Sequence, residues 1–367
     1  MTVKRVGLVV HGGRAEAPAA CEQVRKWCAE HGVTCTDIDV WHNRRRNALD
    51  EVEAAGNPDL IVTLGGDGTF LRGARLAAAN NALLLGIDLG RVGFLTEVPI
   101  SEITTALDAV WEHQITIDSR MLLTLRVSRR LELPEDMERW ASVYGRGSLL
   151  PAPKIRDDGE ACDEWGIPLN VSGVNDIVLE KLSRDHQISV GVYVAGHLLA
   201  AYSADALVVA TPTGSTAYSF AAGGPIVSPR AEAIVFTPVA PHMAFDRSVV
   251  VGPDEPVGLR LLERSGNAAV TIDGQLRGLL EPDDWIGVYA AQRRLRAVRL
   301  GPTNFYGRLR ERMNLTDAPA AVADGFAGPI WSFTTPPPAD MSHLTLAMYE
   351  AEEADEVGEV DEGDVNI

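Results

Sequence analysis

Long apolar runs are absent from this chain of 367 residues, which argues against a membrane-spanning helix. The first apolar stretch, Val6–Val10, is too short for the core of a signal peptide, so a cytoplasmic protein is expected. Cysteine is scarce: Cys21, Cys28, Cys35 and Cys162 form no C-x-x-C pair. A zinc site needs closely spaced thiol and imidazole ligands, and cytosolic thiols rarely pair, so buried thiols are expected. Basic residues are outnumbered, 33 Lys and Arg against 51 Asp and Glu, and none follows Arg312. A net charge of −18 repels nucleic-acid phosphates and anionic membranes, so neither is expected as a partner. No G-x-x-x-x-G-K-[ST] run occurs, which excludes a P-loop nucleotidase.

What is present falls into three regions. Residues 1–112 alternate short apolar runs with helical patterns: Val6–Val10, Val33–Val40, Asp59–Leu64 and Ala82–Ile87 read as strands, and Ala17–His31, Phe70–Ala79 and Ser101–Trp111 as helices. Ser101 is the expected cap of the last of these. This alternation predicts an α/β domain with a Rossmann-like parallel sheet covered on both faces. Residues 113–300 carry many short β runs separated by turn residues, which predict a β-rich, sandwich-like second domain. A single short helix is expected inside it at Thr216–Ala222. Residues 131–169 hold four prolines and mixed charge, and read as a long surface loop. A helix at Phe305–Met313 closes this part, with 301–317 expected to pack back on the first domain. Residues 318–367 are Ala-, Pro- and Gly-rich, then acidic, and are expected to be largely disordered.

Two stretches carry chemistry. The strand ending at Leu64 runs into Gly65-Gly66-Asp67-Gly68-Thr69 and then a helix. Glycines let the backbone approach a ligand, and the helix N-terminus turns N–H groups toward an anion. An Asp repels phosphate, so its place in such a loop makes sense if it holds a metal ion or accepts a proton from an attacking hydroxyl. The plainer alternative is a glycine turn whose Asp caps the helix. In the second stretch, the apolar strand Asp205–Ala210 enters Thr211-Pro212-Thr213-Gly214-Ser215-Thr216-Ala217-Tyr218. Its hydroxyls offer donors and acceptors, and Tyr218 offers a ring for an adenine. Here the alternative is a Ser/Thr-rich capping turn. Asn175-Asp176 adds a polar pair inside an apolar strand, which needs partners such as a ribose.

These motifs, in this order, resemble the NAD kinase family over about Val6 to Met313, apart from the 131–169 loop. Supporting stretches are Gly90–Thr96, Ala222–Pro225, Thr237-Pro238 with Pro241-His242, Arg247–Val249 and Asp273-Gly274-Gln275. The resemblance implies transfer of the γ-phosphoryl group of ATP to the 2′-hydroxyl of the adenosine ribose of NAD, giving NADP. It also implies a divalent cation such as Mg2+, a homo-oligomer (dimer or tetramer), and a site between the two domains. By motif position Asp67 would be the catalytic base. Gly65, Gly66, Gly68 and Thr69 would hold the donor phosphates. Phe94, Asn175, Asp176, Asp205, Thr213, Thr216, Ala217 and Tyr218 would line the NAD site. No metal ligand is assigned by motif. The chain departs from the family where Asn-Glu is usual at Asn175-Asp176, Asp-Gly at Asp205-Ala206, Asn at Asp88 and Arg-Pro at Arg247-Ser248. Two alternatives remain open: a kinase of another small molecule sharing the Gly-Gly-Asp-Gly-Thr loop, and a non-catalytic NAD(P)-binding sensor.

Overall fold

The computed structural model describes residues 3–41, 47–90, 93–133, 153–156, 166–183, 185–242, 245–301, 304–316 and 339. Cys162, the acidic tail and most of the 131–169 stretch lie outside them. The chain divides into two compact units, Met1–Thr303 and Asn304–Ile367.

The first sheet of the large unit begins with β1 (Arg5–Val10), β2 (Thr34–Asp37), β3 (Leu60–Gly65) and β4 (Leu83–Asp88), all parallel and ordered β2-β1-β3-β4. Strands β3 and β4 are buried along their whole length, as central strands covered on both faces must be, and their mostly apolar sequence follows from that. The covering helices are α1 (Ala17–Glu30), α2 (Ala48–Ala54), α3 (Asp67–Asn80) and α4 (Ile103–Trp111). One core packs α1 and α4 on the sheet through Val24, Trp27 and Leu107, and the other packs α3 through Phe70, Ala74 and Ala77. Helix α3 ends at Asn81, whose φ of +53° supplies the left-handed cap. Ser101 does not cap α4: a 3-10 turn at Ile100–Glu102 precedes the helix, and Glu102 stands at its start without a side-chain bond. The two-residue strand β5 (Val98–Pro99) pairs with β4.

The parallel sheet is completed by the last strand of the unit. Strand β19 (Leu295–Arg299) runs parallel beside β4, and β6 (Thr116–Arg120) runs antiparallel outside it. The β-rich region expected between 113 and 300 therefore gives its first and last strands to the other sheet. Their position is decided by backbone pairing, which composition does not reveal.

Between them lie two six-stranded antiparallel sheets. One joins β7 (Leu123–Val127), β8 (Ile167–Pro168), β10 (Ile188–Val194), β11 (His197–Ala204), β15 (Val257–Leu261) and β18 (Trp285–Ala290) in the order β11-β10-β15-β18-β7-β8. The other joins β9 (Asp176–Lys181), β12 (Ala206–Ala210), β13 (Ile234–Val239), β14 (Val249–Val251), β16 (Ala268–Ile272) and β17 (Gln275–Leu280) in the order β14-β13-β12-β9-β16-β17. Alternate residues of both, such as Leu123, Leu125, Val190 and Leu259 against Ile177, Leu179, Leu207 and Val270, form one shared core, the packing of a β-sandwich. The helix expected at 216–222 is a 3-10 turn, Thr213–Thr216, followed by α5 (Tyr218–Ala221), because Ala217 between them leaves helical geometry. In the second unit, α6 (Phe305–Arg312) starts at Asn304, whose side chain accepts from the Gly307 amide at 2.8 Å.

Candidate active site

Strand β3 ends at Gly65, and Gly66, extended at φ −101°, caps α3 so that Asp67 is its first residue. Gly65 leaves room for Thr69 to fold back: a Cβ there would lie 2.6 Å from the Thr69 Cβ and nearer its hydroxyl. That hydroxyl is buried and has no hydrogen-bond partner among the described residues. Nothing lies within 4 Å of where a Cβ would stand on Gly66 or Gly68. The loop therefore presents bare backbone to a cavity of about 570 Å³.

The cavity is lined on one side by Gly66, Asp67, Gly68, Thr69, Arg72 and Arg75 and on the other by Asp273, Gly274, Gln275 and Arg277. The Asp67 carboxylate at its edge accepts three backbone N–H groups, from Phe94 at 3.0 Å, Leu95 at 3.1 Å and Thr96 at 3.3 Å. The Thr96 hydroxyl donates to Asp88 at 2.7 Å, tying that loop to the end of β4. The donors fix the carboxylate against the 93–96 loop and leave its remaining lone pairs for a ligand.

On the sandwich side, Asp273 sits in the β16–β17 hairpin with φ +49°, followed by Gly274 at +71°, a pair suited to a tight hairpin turn. Its carboxylate accepts the amides of Val174, at 2.9 Å, Asn175, at 2.7 Å, and Asp176, at 3.2 Å. The Asn175 carbonyl accepts from Thr211 N at 2.8 Å, and the Thr211 hydroxyl donates to Val174 O at 2.6 Å. Gly214 packs flat on this segment, where a Cβ would lie 2.6 Å from the Asn175 Cα and closer still to its carbonyl. Asn175-Asp176, the Thr211–Gly214 turn and the Asp273 hairpin thus form one construction, and Asp273 faces the same cavity as the glycine loop.

Burial, and then the neighbouring charge of Asp273, push Asp176 up to about 7, with the Tyr218 amide acting in the opposite direction. Burial likewise pushes Asp273 up to about 6, against the three amides that favour its charged form. The Tyr218 hydroxyl is also raised, by burial and then by the charges of Glu180, Asp176 and Asp205.

Asp205 lies at the far end of β12 from Asp176, although its charge reaches Tyr218. Asp205 precedes β12, while Asp176 pairs with Ala210 at the other end of that strand, roughly 16 Å away at the strand rise. It pairs instead with Lys181 at 2.7 Å. The hydroxyls of the 211–216 loop are already engaged by the protein: Ser215 donates to Pro212 O at 2.7 Å and Thr216 to Thr213 O at 3.3 Å. Phe94 and Asn175 are half-buried beside the site, as are Thr216 and Ala217, while Tyr218 is exposed.

Three residues carrying no sequence signal join the two halves. Arg299 on β19, buried, donates to Leu95 O at 3.0 Å and to Asp118 at 3.1 Å. Arg120 on β6 donates to the same Asp118 oxygen at 2.8 Å and to the Thr213 hydroxyl at 3.4 Å. Burial raises Asp118, but the Arg120 and Arg299 guanidiniums outweigh it and hold the carboxyl below its ordinary value.

Comparison with known proteins bears directly on this arrangement. A family model described as the ATP-NAD kinase N-terminal domain matches residues 6–115, and one described as the ATP-NAD kinase C-terminal domain matches 174–300. NAD kinase 1 of Streptomyces coelicolor is 71% identical over 355 residues, covering 96% of this chain and 98% of that protein. The chain belongs to the NAD kinase family. An NAD kinase of Thermoanaerobacter sp. is 30% identical over 85% of this chain and 99% of its own length. In fold, the chain is similar to yeast NADH kinase complexed with NADH, with a TM-score of 0.65 at 21% identity over 87% of this chain and 89% of that one. It is similar also to an NAD kinase from Archaeoglobus fulgidus in complex with ATP, with a TM-score of 0.58 at 20% identity over 84% and 98%. Asp118 and Arg120 lie between the two stretches that the NAD kinase models match, whereas Asp67, Asp176, Thr213 and Arg299 lie within them.

Proposed function

We propose that this member of the NAD kinase family transfers the γ-phosphoryl group of ATP to the 2′-hydroxyl of the adenosine ribose of NAD, giving NADP. The observation that carries the reading is the Asp67 carboxylate, fixed by three backbone amides at the edge of an arginine-lined cavity at the start of α3. In the proposed reaction the ribose hydroxyl lies in line with the γ-phosphorus, Asp67 takes its proton, and the Gly66–Thr69 backbone faces the phosphates. Positioning and fixed charge supply most of the acceleration in phosphoryl transfer.

Among the described residues no three His, Cys, Asp or Glu side chains gather into a metal cage. Magnesium is usually held by one or two carboxylates together with substrate phosphates and water, and Asp67 at the cavity edge fits that donor set. A cation bound there with ATP would balance charge on the phosphate oxygens. In this reading Asn175 and Asp176 bind the ribose hydroxyls, and the Thr213–Tyr218 segment with Phe94 binds the rest of NAD. Asp205, whose charge reaches Tyr218, is assigned to a part of NAD away from Asp176. The proposal extends to Mg2+, a cytoplasmic protein and a homo-oligomer, all supported by family membership. No helix among the described residues is long and apolar enough to cross a membrane.

Incubation with NAD, ATP and Mg2+ is expected to produce NADP. Asp67→Asn is expected to fold and bind NAD while losing about 10²-fold or more in turnover, the contribution of a general base. Near-wild-type turnover in that variant would refute the assignment.

A further inference from the structure

The wall of the cavity behind the glycine loop holds a buried charge that no described residue pairs with directly. Arg72 and Arg75 project from the same side of α3, three residues apart. Arg72 lies 3.9 Å over the Trp41 ring and donates to Val40 O at 3.4 Å. Arg75 pairs with the buried Glu51 at 2.8 Å. Arg277, on β17 across the cavity, is only 4% exposed and makes no hydrogen bond or ion pair with any described residue. Burial, then repulsion from Arg75, lowers its guanidinium to about 9, against the partial help of Glu51. The cavity lining as a whole carries Arg14, Arg72, Arg75 and Arg277 against Asp67 and Asp273. A buried guanidinium without a partner is costly, so this one calls for an anion that the described residues do not supply.

We propose that Arg277, with Arg72 and Arg75, binds the non-transferred phosphates of the donor, so that the phosphate chain runs from Asp67 along the first two turns of α3 to the β17 wall. This rests on the kinase reading above and adds to it a donor-binding residue outside the glycine loop. Arg75 stands eight residues after Asp67, roughly 12 Å along the helix axis. Two long guanidinium side chains reaching back from there can meet a phosphate chain whose end lies at Asp67. Fork-shaped guanidiniums match phosphate oxygens in pairs, which a lysine cannot reproduce.

The test uses the full-length protein with Arg277→Gln and Arg277→Lys. In Arg277→Gln the KM for ATP is expected to rise about 10-fold or more, the loss of one charged hydrogen-bonded contact, while the KM for NAD moves far less. Calorimetric titration with inorganic tripolyphosphate should show a matching loss of affinity, and Arg277→Lys should recover part of it. The melting temperature of Arg277→Gln should hold or rise, since an unpartnered buried charge is removed. Unchanged ATP KM and unchanged tripolyphosphate affinity, or a lowered melting temperature as the sole effect, would overturn the proposal. If the wild type makes NADP and Arg277→Gln keeps its ATP KM, this inference fails and the kinase reading stands. If the wild type binds tripolyphosphate through Arg277 but makes no NADP, the kinase reading fails and the anion site stands.

Discussion

Replacing Gly93 with alanine should disable the enzyme without touching a reacting group. A Cβ on Gly93 would stand 2.6 Å from one carboxylate oxygen of Asp67 and nearer still to the other. Gly93 does not have a positive φ, so the effect comes from space alone. Asp67 is the first residue of α3 and its backbone is committed to the helix, so its side chain must turn, or the 93–96 loop must withdraw. In either case the carboxylate moves by roughly 1 Å and a misplacement of that size costs about 10²-fold in turnover. The three amide bonds would be lengthened or lost, and at about 1 kcal/mol net each, partly recovered from water, the stability cost is on the order of 2 kcal/mol. Steady-state NADP formation and thermal melting measure the two effects. Gly68→Ala is the matched comparison, since a Cβ there meets nothing within 4 Å. It should melt like the wild type and raise the KM for ATP. A Gly93→Ala protein with turnover within about threefold of wild type would refute the claim that the pinned carboxylate is the reacting one.

Two further outcomes follow from the charges. Asp118→Asn leaves Arg120 and the buried Arg299 without their shared carboxylate, and should cost about 3 kcal/mol, as breaking a buried ion pair does. Denaturant unfolding measures that, and kinetics should show weaker NAD binding as Thr213 and Leu95 lose their anchors; an unaltered midpoint would count against the relay. For Asp176 the folded-state value of about 7 lies above the unfolded one, so the folded state binds more protons between them. Stability without ligand should therefore fall as pH rises from about 4 to 7. Asp176→Asn should melt with a flatter pH dependence between about pH 4 and 7, and an identical slope in both proteins would disprove the burial argument.

The sequence made the central strands legible because β1, β3 and β4 are largely buried on both faces and read as mostly apolar runs. It hid β6, β11 and β17 for the converse reason. Strand β6 is Thr-Ile-Asp-Ser-Arg at a sheet edge, largely exposed except for Arg120, and β11 exposes Leu198 and Leu199. Strand β17 carries Gly278, which lies against Leu131, where a Cβ would meet that side chain at 2.7 Å. Helix α2 was hidden because its seven residues are too few to show a period. The glycine loop and the 211–218 stretch were legible as chemistry because dense glycine and hydroxyl residues at a strand end have few structural explanations. Even so, these hydroxyls turned out to be engaged by the protein itself, Ser215 and Thr216 within their own loop and Thr211 on Val174.

What no local pattern could display is the dependence of Asp67 on residues far along the chain. Its carboxylate is held by the amide of Leu95, and the Leu95 carbonyl is held by Arg299. Arg299 reaches it because the chain, after building both sandwich sheets, returns as β19 to lie beside β4. The same Arg299 shares Asp118 with Arg120, which holds Thr213 in the sandwich half. Each of these arginines reads, in sequence, as one more charged residue in a polar strand. Their meaning comes from burial: a guanidinium that is 3% exposed must spend its donors on defined acceptors or lose stability. The acceptors here are Asp118, the loop that holds Asp67 and the Thr213 turn. The geometry of the phosphoryl-transfer site is thus completed last in chain order, by a strand 228 positions beyond the carboxylate it steadies when Asp67 is counted to the start of β19 at Leu295.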